Sequence, residues 1–219
     1  MAGRRARAAV REEAAASVWG DDLGEVPRAL LDSAVRCFAE RGFHATTTRD
    51  VSAGAGLSPA ALYVHFPSKE NVLFEITRRG HESALAAVRD PDVAQLTDAA
   101  ARLRATVAAF VTWHARHHVL ARVCQYELAS LTAQHHEDIR RIRRRFNVVF
   151  RDAVVTGTAQ GVFVPGDVDR VVRAMLSLGI DLVRWYRLGG ADSPEDLGAF
   201  YGELAVRMVS AGAQERHGG

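Results

Sequence analysis

Apolar residues recur at helical spacing along most of the chain, and nowhere do they alternate long enough to suggest a sheet. Leu30, Leu31, Ala34, Val35 and Phe38 share one face of a helix that starts after Pro27 and ends at Gly42. Thr47 and Asp50 have capping-box spacing, with Asp in place of the usual Glu or Gln, and open a short helix reaching Ala55. Gly56 stops it and Leu57 plugs the turn. Ser58 and Pro59 then start a second short helix, which reaches Phe66. Pro67 breaks that helix, and Ser68 caps a long one ending before Asp90 and Pro91. Two short helices joined by a tight Gly-containing turn make a helix-turn-helix.

The remainder also reads as helix. One spans 97–117, with Leu103, Val107, Phe110, Val111 and His114 on a stripe, and a shorter one spans 120–132. The next covers 137–158, with Ile139, Ile142, Phe146, Val149, Phe150 and Ala153 at helical spacing. A brief extended break, Gly-Val-Phe-Val-Pro-Gly-Asp, precedes a helix over 167–188 that is apolar on nearly every side. Ser193-Pro194-Glu195 begins the last helix, with Leu197, Phe200, Tyr201, Leu204, Met208 and Val209 assigned to one face. Residues 1–22 are rich in Ala and Arg, lack an apolar stripe and end in Gly20-Asp21-Asp22, which predicts a flexible basic arm. The expectation is an all-α protein of about nine helices, with the arm at 1–22, a helix-turn-helix domain at 23–84 and a second helical domain at 85–219.

Composition narrows the class. With 219 residues, 48% hydrophobic and 25% charged, the chain carries enough apolar material for a packed core and too much for a disordered one. No uncharged apolar run approaches the ~20 residues of a membrane span. Arg11, Glu12 and Glu13 interrupt any signal-like segment, and Cys37 and Cys124 lie far apart without metal-ligand spacing. These features predict a reduced, cytoplasmic setting and no membrane partner. Net charge is only +2, so attraction to a polyanion is not written into the total; of 28 basic residues, Lys69 alone is lysine.

The series Phe38, Gly42, Phe43, Thr46, Thr47, Arg49-Asp50-Val51, Ala55-Gly56-Leu57-Ser58, Leu62-Tyr63, His65-Phe66 and Ser68-Lys69-Glu70 closely resembles the N-terminal domain of the TetR family of transcriptional regulators, in register over about residues 27 to 75. Two departures are Ser52, where alanine is usual, and Gly54 within the second helix. A recognition helix must keep some residues for its own core, here Leu57, Leu62 and Phe66, and offer the rest to a major groove about 12 Å wide. Ser58, Pro59, Ala60, Ala61 and Val64 are small enough for close approach and suit thymine-methyl and shape readout. Arg49 can hold guanine with two hydrogen bonds. Thr46, Thr48, Tyr63, His65 and Lys69 have the chemistry of phosphate contacts, a role the resemblance implies for Tyr63, His65 and Lys69, and Thr47 joins them as a DNA-binding candidate. In the arm, Arg4, Arg5, Arg7 and Arg11 suit a minor groove or a solvated tail.

The same resemblance implies a C-terminal domain that dimerises and encloses a small-molecule pocket. Its partners would be double-stranded operator DNA, a second copy of the chain, and a small hydrophobic effector. Candidate ligand residues are Phe110, Trp113, His114, His117, Cys124, Phe146, Phe150 and Trp185. Gly198 and Gly202, with Tyr201 and Ala205, are candidates for the dimer interface, because small residues four apart allow close helix crossing; packing inside one subunit is the alternative. Arg184-Trp185-Tyr186-Arg187, Gly189, Ser193-Pro194-Glu195-Asp196-Leu197 and Gly161-Val162-Phe163 resemble the acyl-CoA-sensing branch of the family. An acyl-CoA effector could meet Arg140, Arg141, Arg143, Arg144 and Arg145 through its phosphates, although these residues also read as a solvated face. The expected function is a repressor that a ligand releases from a palindromic operator. Alternatives are a constitutive DNA-binding regulator without effector, or a metal-dependent enzyme or metal sensor using His114, His117 and His118. There is no HExxH arrangement, nucleophile elbow or phosphate-binding loop, so no catalytic residue, resident metal or cofactor is expected.

Overall fold

Side-chain caps set most of the helix starts. The computed structural model describes residues 18–210. Its helices are α1 (Glu25–Ala45), α2 (Thr48–Gly54), α3 (Pro59–His65), α4 (Lys69–Val88), α5 (Pro91–Ala94), α6 (Ala99–Arg116), α7 (His118–Tyr126), α8 (Ala133–Ala159), α9 (Val168–Trp185) and α10 (Pro194–Val209), with a 3-10 turn at Leu128–Ser130. The described residues contain no strand, so the fold is all-α, and nine of these helices are longer than the four-residue α5. Thr47 and Ser193 form full capping boxes with Asp50 and Asp196, and Asp90 and Asp167 cap α5 and α9. None of the helices is long and apolar enough to cross a membrane, among the described residues.

Four boundaries differ from expectation. Gly42 does not end α1 but kinks it, with φ 78° and ψ 164°, and the chain resumes helical geometry long enough to bury Phe43. The stretch expected as one helix over 120–132 is α7 followed by the 3-10 turn, and α8 begins four residues earlier than its apolar periodicity indicates. The helix expected to 188 stops at Trp185, because Tyr186 turns extended while its N–H still reaches the Leu182 carbonyl.

The residues group into two compact units. The first takes the residues through Ala84 together with Arg116–Arg143, and the second takes Leu85–Ala115 and the residues from Arg144 onward. Compactness therefore places α7, expected in the C-terminal domain, with the N-terminal helices: α7 packs on α1, and Arg122 donates to the Ala39 carbonyl at 3.3 Å. In the first unit, Leu30, Leu31, Ala34, Phe38, Val51, Leu62, Val72, Leu73 and Ile76 form a buried core. Gly54 is explained here. A Cβ at this position would lie 2.4 Å from the Ser33 hydroxyl, which donates to the Val51 carbonyl at 2.7 Å, so α1 and α2 meet closely over a polar contact.

Of the expected arm, residues 1–17, including Arg4, Arg5, Arg7 and Arg11, lie outside the described residues; in the remaining five, Val18 and Trp19 are buried and Asp21 is exposed. Trp19 is 2% exposed and donates to Asp32 at 2.7 Å. Arg79 binds the Trp19 carbonyl and grips both oxygens of Asp22, at 2.8 and 2.7 Å. The second unit is built on close helix crossings. A Cβ at Gly179 would meet Phe110 at 2.8 Å, and one at Gly202 would meet the Arg104 carbonyl at 2.6 Å.

Candidate nucleic-acid interface

The first unit presents a short helix anchored on one side and bare on the other. Leu62 and the following Phe66 are buried, whereas Ser58, Pro59, Ala60, Tyr63, Val64 and His65 are exposed. Val64 is 78% exposed and Tyr63 56%, although both are large and apolar enough to belong in a core. Thr48 on α2 and the Tyr63 hydroxyl lie 3.2 Å apart, which fixes α3 against α2 and aims the phenol outward. Arg49 and Thr47 are exposed beside them, and Thr48 and Ala61 are half-buried. Hydrogen bonds from Thr47 hold the Asp50 carboxyl below its usual range, and Arg41 stands 3.4 Å away, so this carboxylate is already engaged.

Two expected contact residues are placed differently. Thr46 is fully buried, and its hydroxyl lies 2.8 Å from the Gly42 carbonyl and 3.2 Å from that of Cys37. Its side chain therefore closes the kink in α1 and is unavailable to a ligand. Lys69 donates to the carbonyls of Phe43 and Thr46, at 2.7 and 2.6 Å, with its ammonium 4.2 Å from the Phe43 ring centroid. The single lysine thus ties the start of α4 to the turn that leads into α2.

The candidate effector residues separate into distinct groups. In the second unit Phe110 is a hub: His114, Phe146 and Phe150 lie at 4.2, 5.5 and 5.3 Å between ring centroids, and Trp113 stands 5.2 Å from His114. His114 is oriented by an Nδ1 contact of 2.8 Å to the Phe110 carbonyl. His117 and Cys124 belong to the first unit. Burial pushes the His117 imidazole down to about 4 and the Cys124 thiol up to about 12, so both are neutral at pH 7. Trp185 is 46% exposed at the end of α9 and meets Tyr186 edge-on, 6.3 Å between ring centroids. Of the five arginines clustered over residues 140–145 of α8, Arg140, Arg141, Arg144 and Arg145 are exposed, and Arg143 alone is half-buried, 3.3 Å from Gln125. Among the described residues, no three His, Cys, Asp or Glu side chains assemble as a metal site.

A helix that keeps two residues for its core and bares small and aromatic ones, set on a capped partner helix, is the arrangement that enters a DNA major groove. Residues 30–76 match the family described as bacterial regulatory proteins, tetR family, and residues 96–209 match the tetracyclin repressor-like C-terminal domain. The chain belongs to the tetR family. It is 34% identical over 177 residues to the HTH-type transcriptional repressor KstR2 of Mycobacterium tuberculosis, covering 78% of this chain and 86% of that one. A tetR-family regulatory protein from Rhodococcus RHA1 superposes with a TM-score of 0.81 at 39% identity, over 87% of this chain and all of that one. The structure of the ketosteroid transcriptional regulator KstR2 of Mycobacterium tuberculosis gives 0.78 at 29% identity, over 87% and 98%. As a tetR-family member, the protein is a DNA-binding transcriptional regulator.

The small-residue face of α10 is not a free surface. Gly198, Gly202 and Ala205 are buried in their own subunit against α6: a Cβ at Gly198 would meet the Thr112 hydroxyl at 2.2 Å and the Ala108 carbonyl at 2.9 Å. The close crossing that suggested a dimer is intramolecular. What tetR-family helix α10 leaves uncovered is its other side, with Phe200 at 63% exposed and Tyr201, Leu204 and Met208 half-buried. Leu178 of α9 joins Tyr201, Leu204 and Met208 along one shallow apolar cleft. Periodicity alone places Phe200 on the same face as Leu197, but α10 is apolar on two sides: Leu197 is buried with the glycines, and Phe200 is exposed.

Proposed function

We propose that the protein is a homodimeric repressor that binds a palindromic operator and is released by a small hydrophobic effector, with an acyl-CoA as the leading class. The observation that carries this reading is the bare face of α2 and α3, with Thr47, Arg49, Ser58, Pro59, Ala60, Tyr63, Val64 and His65 exposed over the buried Val51, Leu62 and Phe66. Arg49 supplies the guanine-reading chemistry, Val64 and Ala60 the methyl contacts, and Tyr63 and His65 the phosphate contacts. Dimerisation uses the uncovered side of α9 and α10, with Leu178, Phe200, Tyr201, Leu204 and Met208. Two copies then present two recognition helices to half-sites one turn apart, about 34–36 Å. The repressor names of the KstR2 relatives support the sign of regulation.

The effector reading rests on the aromatic group around Phe110, which supplies apolar surface with one oriented imidazole. Release follows if the effector prefers an arrangement in which α4, starting at Lys69 beside the DNA-reading turn, has shifted so that the two recognition helices no longer match one DNA turn. A coupling of about 1–3 kcal/mol lowers operator affinity roughly 5–150-fold. The test is an operator titration with and without saturating acyl-CoAs of increasing chain length, alongside sedimentation. A weakened operator complex with the dimer intact supports the proposal. Unchanged or tightened operator binding by a protein shown to hold acyl-CoA overturns the release mechanism.

A further inference from the structure

The turn that presents α2 and α3 is held from a segment far downstream in sequence. At the start of α8, the His135 imidazole donates from Nδ1 to the Glu70 carboxylate, 2.8 and 3.0 Å from its two oxygens. The same ring lies flat on Phe74, with 3.8 Å between centroids and 7° between planes. Glu70 also accepts the backbone N–H of Thr132 at 2.9 Å, so its charge stands at the N-terminus of α8, where a carboxylate is favoured. The side chains of His135 and Glu70 are only 22% and 18% exposed. Beside them, Ser130 of the 3-10 turn lies 3.4 Å from His44 at the end of α1.

Glu70 and Lys69 are consecutive in the first turn of α4, and they point to opposite tasks. Lys69 binds the carbonyls of Phe43 and Thr46, the residues that lead into α2. Glu70 is fixed by α8. Whatever holds Glu70 therefore sets where Lys69 stands, and with it the height and tilt of the turn into α2. We propose that Glu70 and His135, with Phe74 as the stacking platform, are positioning residues for DNA recognition. The functional reading unit then extends to residues 128–138, beyond the 30–76 segment that carries the helix-turn-helix signature. This inference rests on the DNA-binding reading but not on any effector.

The pair can be separated from general stability by conservative variants. His135→Phe keeps the stack and loses the bond to Glu70; Glu70→Gln keeps an acceptor for both His135 and Thr132; His135→Ala loses both the stack and the side-chain bond and leaves only the Thr132 N–H on Glu70. Two measurements are made on the full-length protein. One is binding to the duplex that wild-type protein selects from a random pool, compared with random duplex. The other is amide hydrogen exchange over residues 43–65. His135→Ala is expected to weaken selected-duplex binding about tenfold while random-duplex binding stays within about twofold, and to speed exchange at residues 43–51 by about tenfold. His135→Phe should fall between His135→Ala and wild type, and Glu70→Gln should stay within about threefold of wild type. Equal weakening on both duplexes, exchange changes confined to 128–138, or Glu70→Gln weakening selected-duplex binding as much as His135→Ala would each overturn the proposal. If no duplex is selected, the DNA reading fails, and the exchange measurement still decides whether the pair holds the turn.

Discussion

Removing the ammonium of Lys69 while keeping its stem is the most informative single substitution in the DNA-binding unit. Lys69→Met loses two charge-assisted hydrogen bonds, to carbonyls 2.7 and 2.6 Å away, and a cation–π contact at 4.2 Å. A hydrogen bond to a charged group contributes about 1.5–3 kcal/mol when buried. Lys69 is only half-buried, and water replaces part of that, so the two together are discounted to about 1–3 kcal/mol. For a chain of this length each kcal/mol moves the midpoint about 2–4 °C, so the melting temperature should fall by about 2–12 °C. Operator affinity should fall as well, because the turn into α2 loosens. The slope of log K against log salt should stay the same, since an ammonium spent on carbonyls releases no counterion. A phosphate contact behaves otherwise: its loss reduces the slope by about 0.9 and leaves the melting temperature alone. Differential scanning calorimetry with operator titrations at four salt concentrations separates the two. An unchanged melting temperature with a flattened salt slope would refute the tethering role and return Lys69 to the phosphate list.

Gly202→Leu should destabilise the subunit by about 1–3 kcal/mol through overpacking against the Arg104 carbonyl, seen as a lower thermal midpoint by circular dichroism. Dimer dissociation without loss of stability would put the crossing between subunits instead. Conversely, Phe200→Ser should leave the melt of dilute monomer unchanged and shift sedimentation toward monomer. Asp22, held down at about 2 chiefly by its hydrogen bond to Arg79, has a depressed folded-state value, so its contribution is complete above the ordinary 3.8 and disappears as pH falls through about 2. Trp19 fluorescence, followed in a variant lacking Trp113 and Trp185, should accordingly hold its folded signal to about pH 4, and Asp22→Asn should remove the pH-dependent part. Cys124, raised to about 12 by burial, should resist a thiol reagent at pH 8 in Cys37→Ser protein until it unfolds; prompt labelling would mean the site opens readily.

The helix-turn-helix was legible because its signals are local: a capping pair at Thr47 and Asp50, Gly56 with a positive φ, and Pro59 at a helix start all act within four residues. The kink at Gly42 reads as a stop because glycine with positive φ is a common helix terminator; α1 nevertheless continues past it, with Phe43 buried. Distant partners were invisible. Nothing near Thr46 shows that its hydroxyl turns back to Gly42, nothing near Lys69 points to two carbonyls more than twenty residues earlier, and nothing near Trp19 announces Asp32 and Arg79. Gly54 reads as a defect until Ser33 is seen against it. Gly198 and Gly202 correctly signalled a close crossing, but spacing alone does not say whether the neighbouring helix belongs to the same chain. That Trp185 is 46% exposed was not legible either, because a large aromatic in an apolar helix carries no mark of which side faces out.

The central claim is that the bare face of α2 and α3 reads DNA sequence. Its most direct test is the ratio of affinities for a duplex selected from a random pool and for random duplex, measured by fluorescence anisotropy at about 150 mM salt for wild type, Arg49→Ala and Tyr63→Phe. The account predicts that the selected duplex is an approximate palindrome bound at least about 10³-fold more tightly than random sequence. Arg49→Ala should reduce that ratio, and Tyr63→Phe should weaken both duplexes about equally. A ratio near one for wild type, or a ratio that none of the exposed residues on this face alters, would contradict it.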